Sequence, residues 1–279
     1  MSERRNEVFS SSGATIPRRD VMKEDFDYVI PVATVPVPSQ GKIYSEESGM
    51  HGLTEISIKA MTAREEDILT SRALIKKGTV ITELLKSCIS TPGVDPDKMI
   101  AGDRNAVMIS LRITGYGPMY SAEIHCAECG EKVETDFNLA ALQIKNLKID
   151  PVQAGQNLFE FMLPVSKKKV QFKYLTGEEE RDLLAEMEKK KKLNVGAATE
   201  SLVTGKMQRT VVAIDNVTDK SKISMFIRSM PAGDSRALRK YMDDNEPGID
   251  MKCWVECPQC AASQEVEMPV GLKFFWPDG

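Results

Sequence analysis

Histidine and tryptophan are scarce, two of each in 279 residues, and aromatic residues make up only 6% of the chain. So few imidazoles leave little material for a histidine-based catalytic site, since histidine is the side chain that titrates near neutral pH. No GxxxxGK[ST] loop, GxSxG elbow or HExxH pair occurs, which removes the usual phosphate-cradling, nucleophile-elbow and metalloprotease signatures. No apolar run approaches the roughly 20 residues that cross a bilayer, and the first residues lack a signal-peptide apolar core. Basic charge is also short: the formal net charge is -4, whereas a phosphate-binding surface needs clustered Lys and Arg. These absences argue against an enzyme, a membrane protein, a small-molecule binder or a nucleic-acid binder. Protein partners, met in the cytosol or in a particle, are the expectation.

What is present suits a folded chain. Hydrophobic residues at 42% and charged residues at 28% are ordinary for a globular protein. Residues 1–27 mix Ser, Arg and acids without an apolar period and read as a flexible N-terminal arm. From Tyr28, the prolines at 31, 36 and 38 forbid a helix and favour an extended lead-in closed by Gly41. Ile56 and Ile58 alternate with Ser57 and Lys59 as a half-buried strand requires, and Thr62 to Glu65 fits a capping box that starts a helix. Val80, Ile81, Leu84, Leu85, Cys88 and Ile89 recur at helical spacing. A third helix is expected from near Asp103 to Gly115, followed by a hairpin whose tip carries cysteines.

Part of this pattern returns. ISIKAMTAREEDIL from Ile56 is echoed by VQFKYLTGEEERDL from Val170, an offset of 114 (Ile56 to Val170). Met99-Ile100-Ala101-Gly102-Asp103 is echoed by Met230-Pro231-Ala232-Gly233-Asp234 at 131, and the Cys-x-x-Cys pairs keep that second offset (Cys126 to Cys257). The expected fold is therefore α+β and internally duplicated. Residues 28–150 form a first repeat and 151–279 a second, each with short strands, two or three helices and a Cys-x-x-Cys β-hairpin, the halves related by a pseudo-two-fold axis. The larger second offset demands an insertion, where the Lys189 to Lys192 run reads as a solvated helix end and loop.

Six cysteines occur, four of them in the two Cys-x-x-Cys pairs. Cys126, Cys129, Cys257 and Cys260 supply the four thiolates that tetrahedral zinc prefers, leaving no open position for a reacting water, so the expected role of zinc is structural. Disulfides across the tips or a redox pair are the rival readings. Cys253, four residues before Cys257, could stand in as a ligand but reads first as a packed thiol, and His125 reads as turned away from the metal by strand alternation. Glu65, Glu66, Asp67 and Glu178 to Glu180 fall in first helical turns, where carboxylates complement the helix dipole without any catalytic role. Phe274, Phe275 and Trp276 read either as an anchor into a neighbour or as the seal of the chain's own core. Met225, Met230 and Met242, among 15 methionines, read as core filling ahead of an adaptable binding face.

In order, the segments VPVPSQGKIY, MTAREEDILTSRALIKKGTVITELLKSCI, AGDRNAVMISLRITGYG, CAEC, DSRALRKYM, CPQC and MPVGLKFFWPDG resemble the T-even-type bacteriophage baseplate hub protein family. The resemblance runs from Tyr28 to Gly279. It implies a non-catalytic hub component, or a factor guiding hub assembly, in a contractile tail. Its partners would be other hub, tail-tube or tape-measure proteins, and its location the virion, with the host cytoplasm during assembly. The arm and the Lys-rich insertion depart from the family pattern and inherit no role. The rival classes are a zinc-ribbon regulator that binds nucleic acid and a thiol redox protein. The knuckle sequences HCAECGEKVETD and ECPQCAASQEVEM carry more acid than base, which opposes the first.

Overall fold

A computed structural model describes residues 28–193, 202–270 and 272–275, with only the backbone for 187–193, 202–203 and 272–273. The chain divides into two units, Met1–Pro31 and Val32–Gly279. In the first, the described residues 28–31 carry no regular element, and the expected arm at 1–27 lies outside the described residues. Every element below belongs to the second unit.

The proline-rich lead-in forms strand β1 (Val32–Pro36), which pairs antiparallel with β2 (Glu55–Lys59), Val32 opposite Lys59. Ile56 and Ile58 are buried, as the alternation requires. Between these strands the chain turns through Gln40 (φ 55) and Gly41 (φ 67). A Cβ at Gly41 would stand 2.4 Å from the Leu53 amide nitrogen, so only glycine fits there. The turn is tied down by the buried Asp103 carboxylate, which accepts the Ser39 amide at 2.9 Å and the Ser39 and Tyr44 hydroxyls at 2.6 Å each.

Helix α1 (Ala63–Thr70) starts at a capping box of Thr62 and Glu65. Helix α2 (Arg72–Lys77) ends at Gly78 in the left-handed conformation, after Lys76 and Lys77, a combination legible as a helix stop. Helix α3 (Val80–Cys88) buries Val80, Leu84, Leu85 and Cys88, and Ile89 beyond it bridges to Ile58. Helix α4 (Ala101–Tyr116) runs past Gly115, the expected stop, to Gly117 at φ 83. Gly115 instead lies where a Cβ would meet the Met61 Cε at 2.7 Å.

Next come β3 (Met119–His125) and β4 (Lys132–Asn138), a short 3-10 turn (Leu139–Ala141) and β5 (Ile144–Lys145). Strands β6 (Phe159–Met162), β7 (Lys169–Phe172) and β8 (Val211–Ile214) form an antiparallel sheet in the order β6-β7-β8. Helices α5 (Gly177–Leu193) and α6 (Leu202–Thr210) connect β7 to β8. Helix α5 continues through Lys189 to Lys192 and ends at Leu193, so the Lys run is the helix end that the sequence predicts; Lys and Glu are good helix formers. Residues 194–201 of the predicted loop lie outside the described residues. The chain finishes with α7 (Lys220–Ser229), α8 (Ala232–Asn245), β9 (Gly248–Ile249), β10 (Lys252–Glu256), β11 (Ser263–Glu267) and a 3-10 turn (Leu272–Phe275). The fold is α+β: eight α-helices and small antiparallel sheets among the described residues, none wider than three strands.

Such sheets are marginal alone, and helix α4 and the buried aromatics hold them together. Phe274 and Phe275 are wholly buried, Phe274 edge-on to Tyr120 at 5.0 Å, so both seal the chain's own core. Trp276 lies outside the described residues. Met230 and Met242 are buried, whereas Met225 is exposed. The Arg112 guanidinium, also buried, has three carbonyl partners: Phe274 from Nε at 2.8 Å, Gly117 from Nη1 at 2.9 Å and Met119 from Nη2 at 3.0 Å. At the start of α4, a Cβ on Gly102 would come within 1.8 Å of the Pro247 carbonyl oxygen. Glycine is therefore what lets the backbone before β9 lie against the helix. No described helix is long and apolar enough to cross a membrane.

Glu65 gives the fold a testable pH signature. Its buried carboxylate accepts the Thr62 amide at 2.9 Å and the hydroxyls of Thr62 and of Ser87, the latter at 2.6 Å. Against the upward push of burial, the Ser87 and Thr62 hydrogen bonds hold the carboxyl at about 2, below the ordinary 4.5. A carboxyl lowered in the folded state stabilises the protein above its unfolded value, here by roughly 3 kcal/mol, and that stability drains away as pH falls from about 4.5 towards 2. Glu65→Gln should lower stability by about 2–3 kcal/mol near neutral pH, with the gap to the parent closing in acid. Denaturant melts across pH check this, and a pH-independent gap would refute the assignment.

Candidate metal centre

Two hairpins carry the cysteine pairs. Strands β3 and β4 pair with His125 opposite Lys132 and Tyr120 opposite Phe137, and Tyr120, Ile124, Val133 and Phe137 turn into the core. At the tip, the Cys126 amide donates to the Glu131 carbonyl and the Gly130 amide to the Cys126 carbonyl, both at 2.9 Å. Strands β10 and β11 repeat the arrangement: the Cys257 amide donates to Ala262 at 2.9 Å and the Ala261 amide to Cys257 at 2.8 Å. In each tip the residue after the second cysteine is left-handed, Gly130 at φ 74 and Ala261 at φ 57. That twist turns the chain back while leaving both sulfurs of a Cys-x-x-Cys segment on one side.

The two tips meet. The sulfurs of Cys126, Cys129, Cys257 and Cys260 all lie within 4.8 Å of one another. The short approaches run between hairpins, Cys126 to Cys260 at 3.7 Å and Cys129 to Cys257 at 3.8 Å. A disulfide needs about 2.05 Å, and all six cysteines are free. Cys126 and Cys257 are buried, Cys129 and Cys260 exposed. The amides of Cys129 and Glu128 aim at the Cys126 sulfur and draw its thiol down to about 7, while Cys260, with the Ala262 amide alone pulling down, is pushed up to about 12 by partial loss of hydration at its sulfur and by the neighbouring sulfurs. Four sulfurs so disposed can hold one metal ion.

Gln264 of β11 locks the tips together. Its Oε1 accepts the Ala127 amide at 2.8 Å and its Nε2 donates to the His125 carbonyl at 3.1 Å. The sequence gives no local signal for this cross-link, because the contact joins segments far apart in the chain. The His125 ring is exposed and not part of the cluster. Cys253 is half-buried in β10, opposite Val266, and also stands apart. Glu65 and Glu66 fall in the first turn of α1, and Glu178 to Glu180 in that of α5. Thr176 and Glu179 there exchange amide bonds at 3.2 and 3.3 Å, a second capping box.

Against known proteins, a family model described as T4 bacteriophage base plate protein matches residues 31–276. No curated protein and no solved structure matches the chain.

The paired left-handed residues make opposite predictions. Nothing lies within 4 Å of a Cβ built on Gly130, so Gly130→Ala meets no clash and acts through backbone strain alone, lowering stability by about 1 kcal/mol. Ala261→Gly relieves the same strain and should be neutral to stabilising by up to about 1 kcal/mol, part of the gain being offset by a looser unfolded chain. Thermal melts of the two variants check the pair; equal losses in both would rule out a shared tip geometry.

Proposed function

Because the chain belongs to the T4 bacteriophage base plate protein family, we propose that it works at the hub of a contractile tail's base plate, as a non-catalytic component or assembly factor clasped by one structural zinc ion. The observation that carries the zinc reading is the meeting of four sulfurs from two distant Cys-x-x-Cys tips. A tetrahedron with zinc–sulfur bonds of about 2.3 Å has edges of about 3.8 Å, and the two cross-hairpin distances are 3.7 and 3.8 Å. Cys126, Cys129, Cys257 and Cys260 would hold the ion and fill its coordination, so the metal would contribute folding energy and present no open site to a substrate. The proposed partners are other hub, tail-tube or tape-measure proteins. The proposed location is the virion tail, with the host cytoplasm during assembly.

The same reading includes an internal duplication, with a first repeat over 28–150 and a second over 151–279 about a pseudo-two-fold axis. Its support is a run of matched details. Strands β1 and β2 pair antiparallel as do β6 and β7. Gln40 at φ 55 and Lys167 at φ 56 turn the chain before the second strand of each pair. Asp103 binds the Ser39 amide, and Asp234 binds the Val165 and Ser166 amides at 2.7 and 2.9 Å. A helix begun by Thr62 and Glu65, and another begun by Thr176 and Glu179, follow. A zinc ion shared by the two tips would close the loop between halves and restrict the unfolded chain.

Elemental analysis of purified protein should find one zinc per chain. Cys126→Ser and Cys260→Ser should each lose the metal and melt well below the parent. Co-expression with the hub, tail-tube and tape-measure proteins of the same phage should yield a co-purifying complex. Metal-free parent protein with a reversible disulfide would remove the clasp; failure to join any of those proteins would remove the hub role.

A further inference from the structure

The two cysteine hairpins leave a groove along their sides. Among the described residues, strand β4 pairs only with β3, and β10 only with β11. The Cys257 to Ala262 and Met268 to Met251 amide bonds fix which residues of β10 face β11. By the alternation of an antiparallel ladder, the N–H and C=O groups of Lys252, Trp254 and Glu256 point the other way. The Cys126 to Glu131 and Leu139 to Pro118 bonds likewise turn the backbone of Asp136 and Asn138 away from β3. These residues of β4 and β10 line one cavity of about 410 Å³. Two unpaired strand edges therefore border the same space. The Lys252 amide is taken up by Asp250; no hydrogen bond of the Trp254 amide is found among the described residues.

Two further features mark this space as a docking site. Trp254 on its wall is 74% exposed, a large apolar surface left to solvent on a strand edge, where natural proteins usually place charge or proline. The groove's charges are Asp136, Asp250 and Glu256 against the single Lys252, so its field favours cations. We propose that this groove takes an extended, Lys- or Arg-bearing strand of a partner protein. That strand adds to the free edge of β10, with an apolar side chain against Trp254 and basic side chains towards Asp136 and Glu256. The main-chain bonds hold the strand, while the tryptophan and the carboxylates select it. The inference rests on the proposed role only in that the chain acts by binding proteins.

The test uses the full chain carrying Trp276→Phe, so that Trp254 is its sole tryptophan, and three eight-residue probe peptides. One alternates Lys and Val, one alternates Glu and Val, and one is the Lys-Val peptide with two adjacent central prolines, which block both of its edges. The Lys-Val peptide should bind saturably and shift Trp254 emission to the blue, and the other two should not. Trp254→Ala, followed by anisotropy of a labelled Lys-Val peptide, should weaken binding at least about tenfold. Asp136→Asn with Glu256→Gln should weaken it while leaving the melt unchanged, which guards against a folding defect in the alanine variant. Absence of a response to the Lys-Val peptide, or equal binding of its proline version, overturns strand addition. A chain that joins hub proteins yet ignores the peptides refutes only the groove, and one that binds the peptides yet joins no hub protein refutes only the hub role.

Discussion

The approach of four sulfurs within 4.8 Å is the constraint on which the rest of the architecture depends. A two-stranded hairpin is barely stable in water, and both cysteine hairpins are of that kind. Each solves the problem by burying one face, β3–β4 through Tyr120, Ile124, Val133 and Phe137 and β10–β11 through Val255, and by meeting the other at its tip. Fixing the tips fixes the hairpin stems, and the stems set where α4 and the final 3-10 turn must lie. Gln264 reinforces the junction with uncharged hydrogen bonds, which keep their geometry whichever sulfurs are ionised.

Around this junction the chain relies on two buried carboxylates, each held by hydrogen bonds. Asp103 gathers a turn and a tyrosine onto the start of α4, while Asp234 gathers another turn onto the start of α8. An isolated carboxylate in such surroundings would be strongly unfavourable, so these bonds act as positional pins as much as sources of stability. The backbone approach at Gly102 and Pro247 does the same job without charge: a contact that only a hydrogen side chain permits cannot be made in a shifted register.

The sequence made the local part of this legible. Ile56 and Ile58 revealed β2 because a strand with one buried face must alternate, and Thr62 with Glu65 revealed the start of α1 because unpaired amides need acceptors. The four cysteines were legible as a set because their spacing repeats. What escaped was non-local or cooperative. The stop of α4 moved from Gly115 to Gly117, since Gly115 is used to admit Met61. The roles of Arg112 and Gln264 had no local signal, because the Phe274 carbonyl and the partners of Gln264 at His125 and Ala127 lie far off in the sequence. The burial of Phe274 and Phe275 could not be separated from an intermolecular role by composition alone.

The Arg112 guanidinium has an implication for the order in which the protein is made. Its Nε partner is the carbonyl of Phe274, 162 positions further on. During synthesis, α4 leaves the ribosome long before that carbonyl exists, so a full positive charge waits at a site that will later be sealed. The Gly117 and Met119 carbonyls are already there to meet Nη1 and Nη2, but early burial would leave Nε–H without an acceptor in an apolar interior, which disfavours closure of the core around α4 in a nascent chain. The first hairpin's cysteines wait in the same way for Cys257 and Cys260. The native arrangement around α4 therefore needs the segment that carries Phe274, and a chain cut short before it would lack one acceptor for Arg112.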